Sequence, residues 1–90
     1  MIRVDLDDLA DGERVFMADL LRVAKAVEEL LTAAGVEYAV AVEPVGRTLF
    51  GGVRMGAVFY VAGTQAGYCR QRLSEAGFER GIVYYEEEEE

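Results

Sequence analysis

The chain has no histidine, no asparagine and no tryptophan, and holds one cysteine, one proline and one lysine. Without histidine there is no side chain that changes charge near neutral pH, and a nucleophile–base–orienter triad lacks its usual base. A single thiol, Cys69, permits neither an internal disulfide nor a zinc site. A calcium loop fails on inspection. Setting Asp7 first and Gly12 sixth puts Leu9 at the third position and Ala18 at the twelfth, where glutamate is required. A carboxylate pair fares no better: Glu37 and Glu43 stand six residues apart, about 20 Å along one strand face, too far to flank one bond. No catalytic residues, metal or cofactor are therefore expected. Apolar runs are also short, well under the roughly 20 residues that cross a bilayer. Met1 to Asp11 carries four aspartates where a signal peptide needs a basic start and an apolar middle. A cytoplasmic protein without membrane contact is expected.

What is present describes one small folded domain: 90 residues, 52% hydrophobic, with a formal charge of −8. The charge is unevenly placed. Residues 1–43 carry ten acids and four bases, residues 44–85 two acids and five arginines, and residues 86–90 are all glutamate. The chain accordingly divides into an acidic N-terminal arm (1–12), a folded domain (13–85) and a self-repelling acidic tail (86–90).

The strongest local signal is Ala18 to Glu43. Leu20, Ala24, Val27, Leu31 and Ala34 recur at helical spacing, with Asp19 as candidate N-cap and Gly35 as candidate C-cap. After Gly35 the period falls to two: Val36, Tyr38, Val40 and Val42 alternate with Glu37, Ala39, Ala41 and Glu43, a strand that Pro44 is expected to close. Upstream, Arg14 to Met17 suits a strand. Downstream, Val53 to Ala62 is apolar on both faces and reads as a central strand. A second helix follows, capped by Thr64 and ended by Gly77, with Ala66, Cys69, Leu73 and Ala76 as its stripe; Gly81 to Tyr85 offers a last strand. The two halves echo each other. Val15-Phe16 recurs as Val58-Phe59, and Ala34-Gly35-Val36 as Ala76-Gly77-Phe78. Two strand–helix–strand units joined through residues 44–52 predict an α+β, ferredoxin-like βαββαβ fold, a four-stranded antiparallel sheet with two helices on one face.

In that fold the connection Pro44 to Gly52 should project and move. Within residues 44–54, the candidate contact residues are Arg47, Thr48, Leu49, Phe50, Gly51, Gly52 and Arg54. Arg47 and Arg54 could converge on a small anion while the glycines let backbone N–H groups approach it. Leu49 and Phe50 suit a partner-protein anchor equally, or could fold down over the open end of the core. Tyr84 and Tyr85 on the last strand raise a third kind of contact, an edge covered by a second copy of the chain. Two other functions share this topology. Val45-Gly46-Arg47 has the look of an acylphosphatase phosphate loop, but it follows the second strand and the water-positioning asparagine is missing. Arg54, Gly56, Ala57, Phe59 and Tyr60 echo an RNA-recognition strand, which a charge of −8 opposes. No nucleic-acid partner is expected.

The run Leu30-Leu31-Thr32-Ala33-Ala34-Gly35-Val36, then Gly51-Gly52-Val53-Arg54, then Ser74-Glu75-Ala76-Gly77 resembles a family of small prokaryotic signal-transducing proteins over roughly Glu13 to Phe78. The resemblance implies a PII-like or ferredoxin-like fold and a regulatory role in a bacterial cell, and brings no catalytic residues with it. Together these features predict a non-catalytic regulatory or protein-interaction module that works through residues 44–54, with a protein partner expected first and a small anion second.

Overall fold

Two helices are the best-specified elements. In the computed structural model, which describes residues 2–84, α1 spans Leu21–Ala33 and α2 spans Ala66–Glu75. Both end in the same way. Val36 N–H donates to the Leu31 carbonyl and Gly35 N–H to Thr32, while Phe78 N–H donates to Leu73 and Gly77 N–H to Ser74. These are paired Schellman caps, and the glycines sit at φ 75° and 93°, where a side chain would be strained. The helix starts differ from expectation. Leu20, not Asp19, occupies the N-cap of α1 and makes no side-chain cap bond, because the Asp19 carboxylate is engaged by Arg54. A 3₁₀ turn, Gly63–Gln65, precedes α2, so Thr64 lies before the helix.

Three strands form an open antiparallel sheet in the order β1-β3-β2, with β1 at Gly12–Ala18, β2 at Tyr38–Arg47 and β3 at Val53–Ala62. The doubly apolar β3 is central, as its composition required. In β1, a bulge between Arg14 and Phe16 turns both Val15 and Phe16 into the core. Phe16 then stands opposite Phe59 and meets its ring edge-on at 6.3 Å. The four-stranded sheet predicted for the chain is not seen among the described residues. Where the fourth strand was expected there is one antiparallel bridge, Phe16 to Ile82, and one bond from Val83 N–H to the Val15 carbonyl. A 3₁₀ turn at Glu79–Gly81 carries the chain away from the ladder. The Arg70 guanidinium then takes the Val83 carbonyl at 2.6 Å, along with the Arg14 carbonyl and Glu13. Tyr85 and the glutamates after it lie outside the described residues.

Both helices pack on one face of the sheet. Val27 and Leu31 of α1 and Ala66, Cys69 and Leu73 of α2 close over Val15, Phe59, Val61 and Tyr38. Ala76, expected to complete the α2 stripe, is exposed. The opposite face is not bare. The N-terminal arm pairs in parallel with the start of β2 through Val4 N–H to Tyr38 O and Tyr38 N–H to Ile2 O. After a 3₁₀ turn at Leu6–Asp8 it lays Leu9 over Ala39, Val58 and Tyr60. Among the described residues, the acidic arm is thus a working part of the second layer.

Candidate functional site

β2 does not end at Pro44. It runs on to Arg47 past a bulge between Pro44 and Gly46, opposite β3. Proline is tolerated there because β2 is an edge strand. Tyr38 directs its N–H and C=O to the arm, so alternation turns Val40, Val42 and Pro44 outward as well, and no ladder bond is lost. Of residues 44–52, expected to be a projecting connection, 44–47 are therefore strand and only 48–52 form the turn. β1 ends where Ala18 meets Ala57. The four β3 residues from Val53 to Gly56 and their β2 partners continue as a two-stranded ribbon, roughly 13 Å beyond the body at about 3.3 Å per residue.

The tip of the ribbon is braced from within. Thr48 N–H donates to the Gly52 carbonyl at 2.7 Å, Gly51 N–H to the Thr48 carbonyl at 3.1 Å, and Gly52 N–H to Thr48 Oγ1 at 2.9 Å. Gly51 takes φ 88°, which the turn requires and glycine permits. This geometry argues against the anion cradle anticipated for the loop. The Gly51 and Gly52 N–H groups are already occupied by Thr48. The two arginines also diverge: Arg47 stands opposite Val53, and Arg54 opposite Gly46. Val53 and Arg54 are consecutive in a strand, so their side chains leave opposite faces of the ribbon. Arg54 folds back onto Asp19, whereas the Arg47 guanidinium has no partner among the described residues.

What the tip does present is apolar. Leu49 is 92% and Phe50 95% exposed, so neither folds over the core. Below them, on the face that continues the helix side of the sheet, Val53, Met55 and Val42 are more than half exposed. Between Pro44 and Gly56 the ribbon carries two arginines and no acid, on a chain of charge −8. An exposed apolar stripe of this kind differs from single surface leucines, which need no explanation. Val42 and Met55 were not singled out from sequence. Their alternation places them on the core face, and the shortness of β1 and the helix placement leave them uncovered.

The second polar constellation is a network on the arm side of the sheet. Arg14 Nε donates to the Tyr60 hydroxyl at 3.1 Å and its Nη2 to Glu43 at 3.0 Å, while the Tyr60 hydroxyl donates to the other Glu43 oxygen. Burial, then the bond to Glu43, pushes the Tyr60 phenol above its ordinary value, and the bond to Tyr60 raises Arg14. Each group is satisfied by the others, so the cluster is a clasp across three strands and offers no free base or nucleophile. Phe59, the aromatic that an RNA-recognition strand would present, is buried beneath the helices, and Tyr60 is covered on the other face. Cys69 is also inside, where burial pushes its thiol up to about 11. Tyr84 is half exposed with its hydroxyl on Glu79. Among the described residues no cluster of His, Cys, Asp and Glu is arranged to hold a metal, and no helix is long and apolar enough to cross a membrane. Comparison with family models, curated proteins and solved structures finds no match.

Proposed function

We propose that this chain is a non-catalytic protein-interaction module of ferredoxin-like architecture, and that the ribbon tip is its contact element. The observation that carries the proposal is the near-complete exposure of Leu49 and Phe50 on a turn held by three internal hydrogen bonds. A braced apolar tip loses little conformational entropy on docking, which is what a protein anchor needs. The partner chemistry follows from the flanks: an apolar pocket to receive Phe50 and Leu49, rimmed by carboxylates that face Arg47. The ferredoxin-like assignment is supported by the antiparallel sense of the Phe16–Ile82 bridge, which sets residues 82–83 where a fourth strand would lie. A regulatory role in a bacterial cell rests on the sequence resemblance alone. Partner capture through the β2 edge is disfavoured, because its outward positions include Pro44 and a bulge, two devices that blunt strand pairing.

The test compares immobilised wild-type protein with the Phe50→Asp variant in cytosolic extract at matched salt. Proteins retained by the wild type and lost by the variant, with weakened retention by Arg47→Glu, are expected. An identical retained set for all three proteins would refute the proposal.

A further inference from the structure

At the base of the ribbon, on the outer side of β1, lies a cleft of about 470 Å³ that none of the preceding functions uses. Its walls come from four separate parts of the chain: the end of β1, the first turn of α1, the ribbon, and the segment after α2. Val23, Val45, Phe78 and Ile82 supply apolar, partly buried surface. Three charged residues also line it, Asp19, Arg54 and Arg80. Asp19 and Arg54 are paired with each other. The Arg80 guanidinium makes no ion pair or hydrogen bond among the described residues. The lining therefore holds two positive charges against one negative one, in a protein whose overall charge is −8. Apolar walls with a few convergent polar groups are the usual composition of small-molecule sites.

We infer that this cleft binds a small amphipathic carboxylate, with an aromatic or branched apolar body against Phe78, Val23 and Ile82 and its carboxylate on Arg80. The guanidinium fork matches a carboxylate in two parallel N–H···O bonds. A dication would meet a net positive lining. A neutral ligand would leave the Arg80 guanidinium fork unused. The local geometry also fixes the mouth of the site. A Cβ on Gly81 would run into the Phe16 ring and come within 2.8 Å of the Met17 carbonyl, so glycine lets the C-terminal wall lie close against β1. This inference is independent of the ribbon as a protein anchor.

The experiment uses 2-naphthylacetate and its neutral amide as probes. Because the chain has no tryptophan, naphthyl emission can be followed on excitation beyond the tyrosine band. Saturable binding of the acid is expected, on the order of tenfold or more tighter than the amide, as for a charge-assisted hydrogen bond. Arg80→Gln, at an exposed position, should abolish that preference while leaving the amide unchanged. Arg47→Gln, which does not line the cleft, should bind both probes as the wild type does. Equal affinity for acid and amide, no saturation, or an Arg80→Gln variant that keeps the preference would each overturn the inference. Loss of partner capture by Phe50→Asp with naphthylacetate affinity retained would separate the two sites.

Discussion

Replacing Phe50 by aspartate tests the placement of the ribbon tip most directly. A phenylalanine moved fully out of water contributes about 1.5–3 kcal/mol. At 95% exposure only about a twentieth of that transfer has taken place, so the apolar loss is of the order of 0.1 kcal/mol. The backbone is unaffected, since the bonds that close the turn belong to Thr48, Gly51 and Gly52. The expected change is within about 0.5 kcal/mol, the range of surface substitutions. Phe59→Ala provides the contrast. Its ring is fully buried between Phe16 and Tyr38, and removing it should cost about 3–5 kcal/mol. That is a large part of the stability of a domain this size, at about 0.05–0.15 kcal/mol per residue. Urea unfolding followed by far-ultraviolet circular dichroism reads both. At a slope near 1 kcal/mol per molar urea, Phe50→Asp should move the midpoint by less than about 0.5 M. Phe59→Ala should move it by several molar or leave no folded baseline. A loss above about 1.5 kcal/mol for Phe50→Asp would mean that the ring packs on the body and that the ribbon is no anchor.

Three further outcomes follow from packing and ionisation. Gly81→Ala forces a methyl group against the Phe16 ring and the Met17 carbonyl; a destabilisation of about 1–3 kcal/mol is expected, and a neutral result would show that the segment after α2 is not docked on β1. Cys69, fully buried with its thiol pushed up to about 11, exposes on the order of one thiolate in ten thousand at pH 7. Its labelling by a disulfide reagent should track global unfolding, and rapid labelling of native protein would contradict its position on the inner face of α2. Tyr60 has a folded-state value raised above its ordinary 10.0 by burial and by Glu43. The folded protein therefore holds this proton after the unfolded chain has released it. The stabilisation from the group is complete below about pH 10 and is lost as pH rises through the folded value. The stability difference between wild type and Tyr60→Phe should be constant from pH 7 to 9.5 and shrink above it, whereas a difference that stays flat to pH 11.5 would remove Tyr60 from the clasp.

Local signals carried the helices and the central strand because each is decided within a few residues. Ala-Gly-apolar ends both helices by a Schellman cap whose bonds span six residues, so the repeated Ala34-Gly35-Val36 and Ala76-Gly77-Phe78 were sufficient to place both stops. Asp19 misled for the opposite reason. It has the right chemistry for an N-cap, but the competing partner, Arg54, is 35 residues away and becomes a neighbour only when the sheet forms. The fourth strand failed in a similar way. Residues 81–85 have the composition of a strand, yet Arg70 supplies to the Val83 carbonyl a donor that a ladder would otherwise provide. In the N-terminal arm the alternation of Ile2, Val4 and Leu6 was a real but short signal, and the cover given by Leu9 depends on the sheet face it meets.

The ribbon shows where a period-two pattern stops being informative. Along β3 the apolar residues alternate without a break from Val53 to Val61, and nothing in that series distinguishes its ends. Yet Phe59 and Val61 are fully buried, while Val53 and Met55 are more than half exposed on the same face. Periodicity reports the face a side chain takes, because successive side chains alternate across a strand. Depth is a different quantity. It is set by how far the neighbouring elements extend, here by β1 ending opposite Ala57 and by helices packed over the other end of the sheet. The same pattern that builds the core therefore continues past it and becomes an exposed apolar surface. In this chain Val53 and Met55 are exposed residues written in the code of a buried strand, and only the register of β1 against β3 separates the two cases.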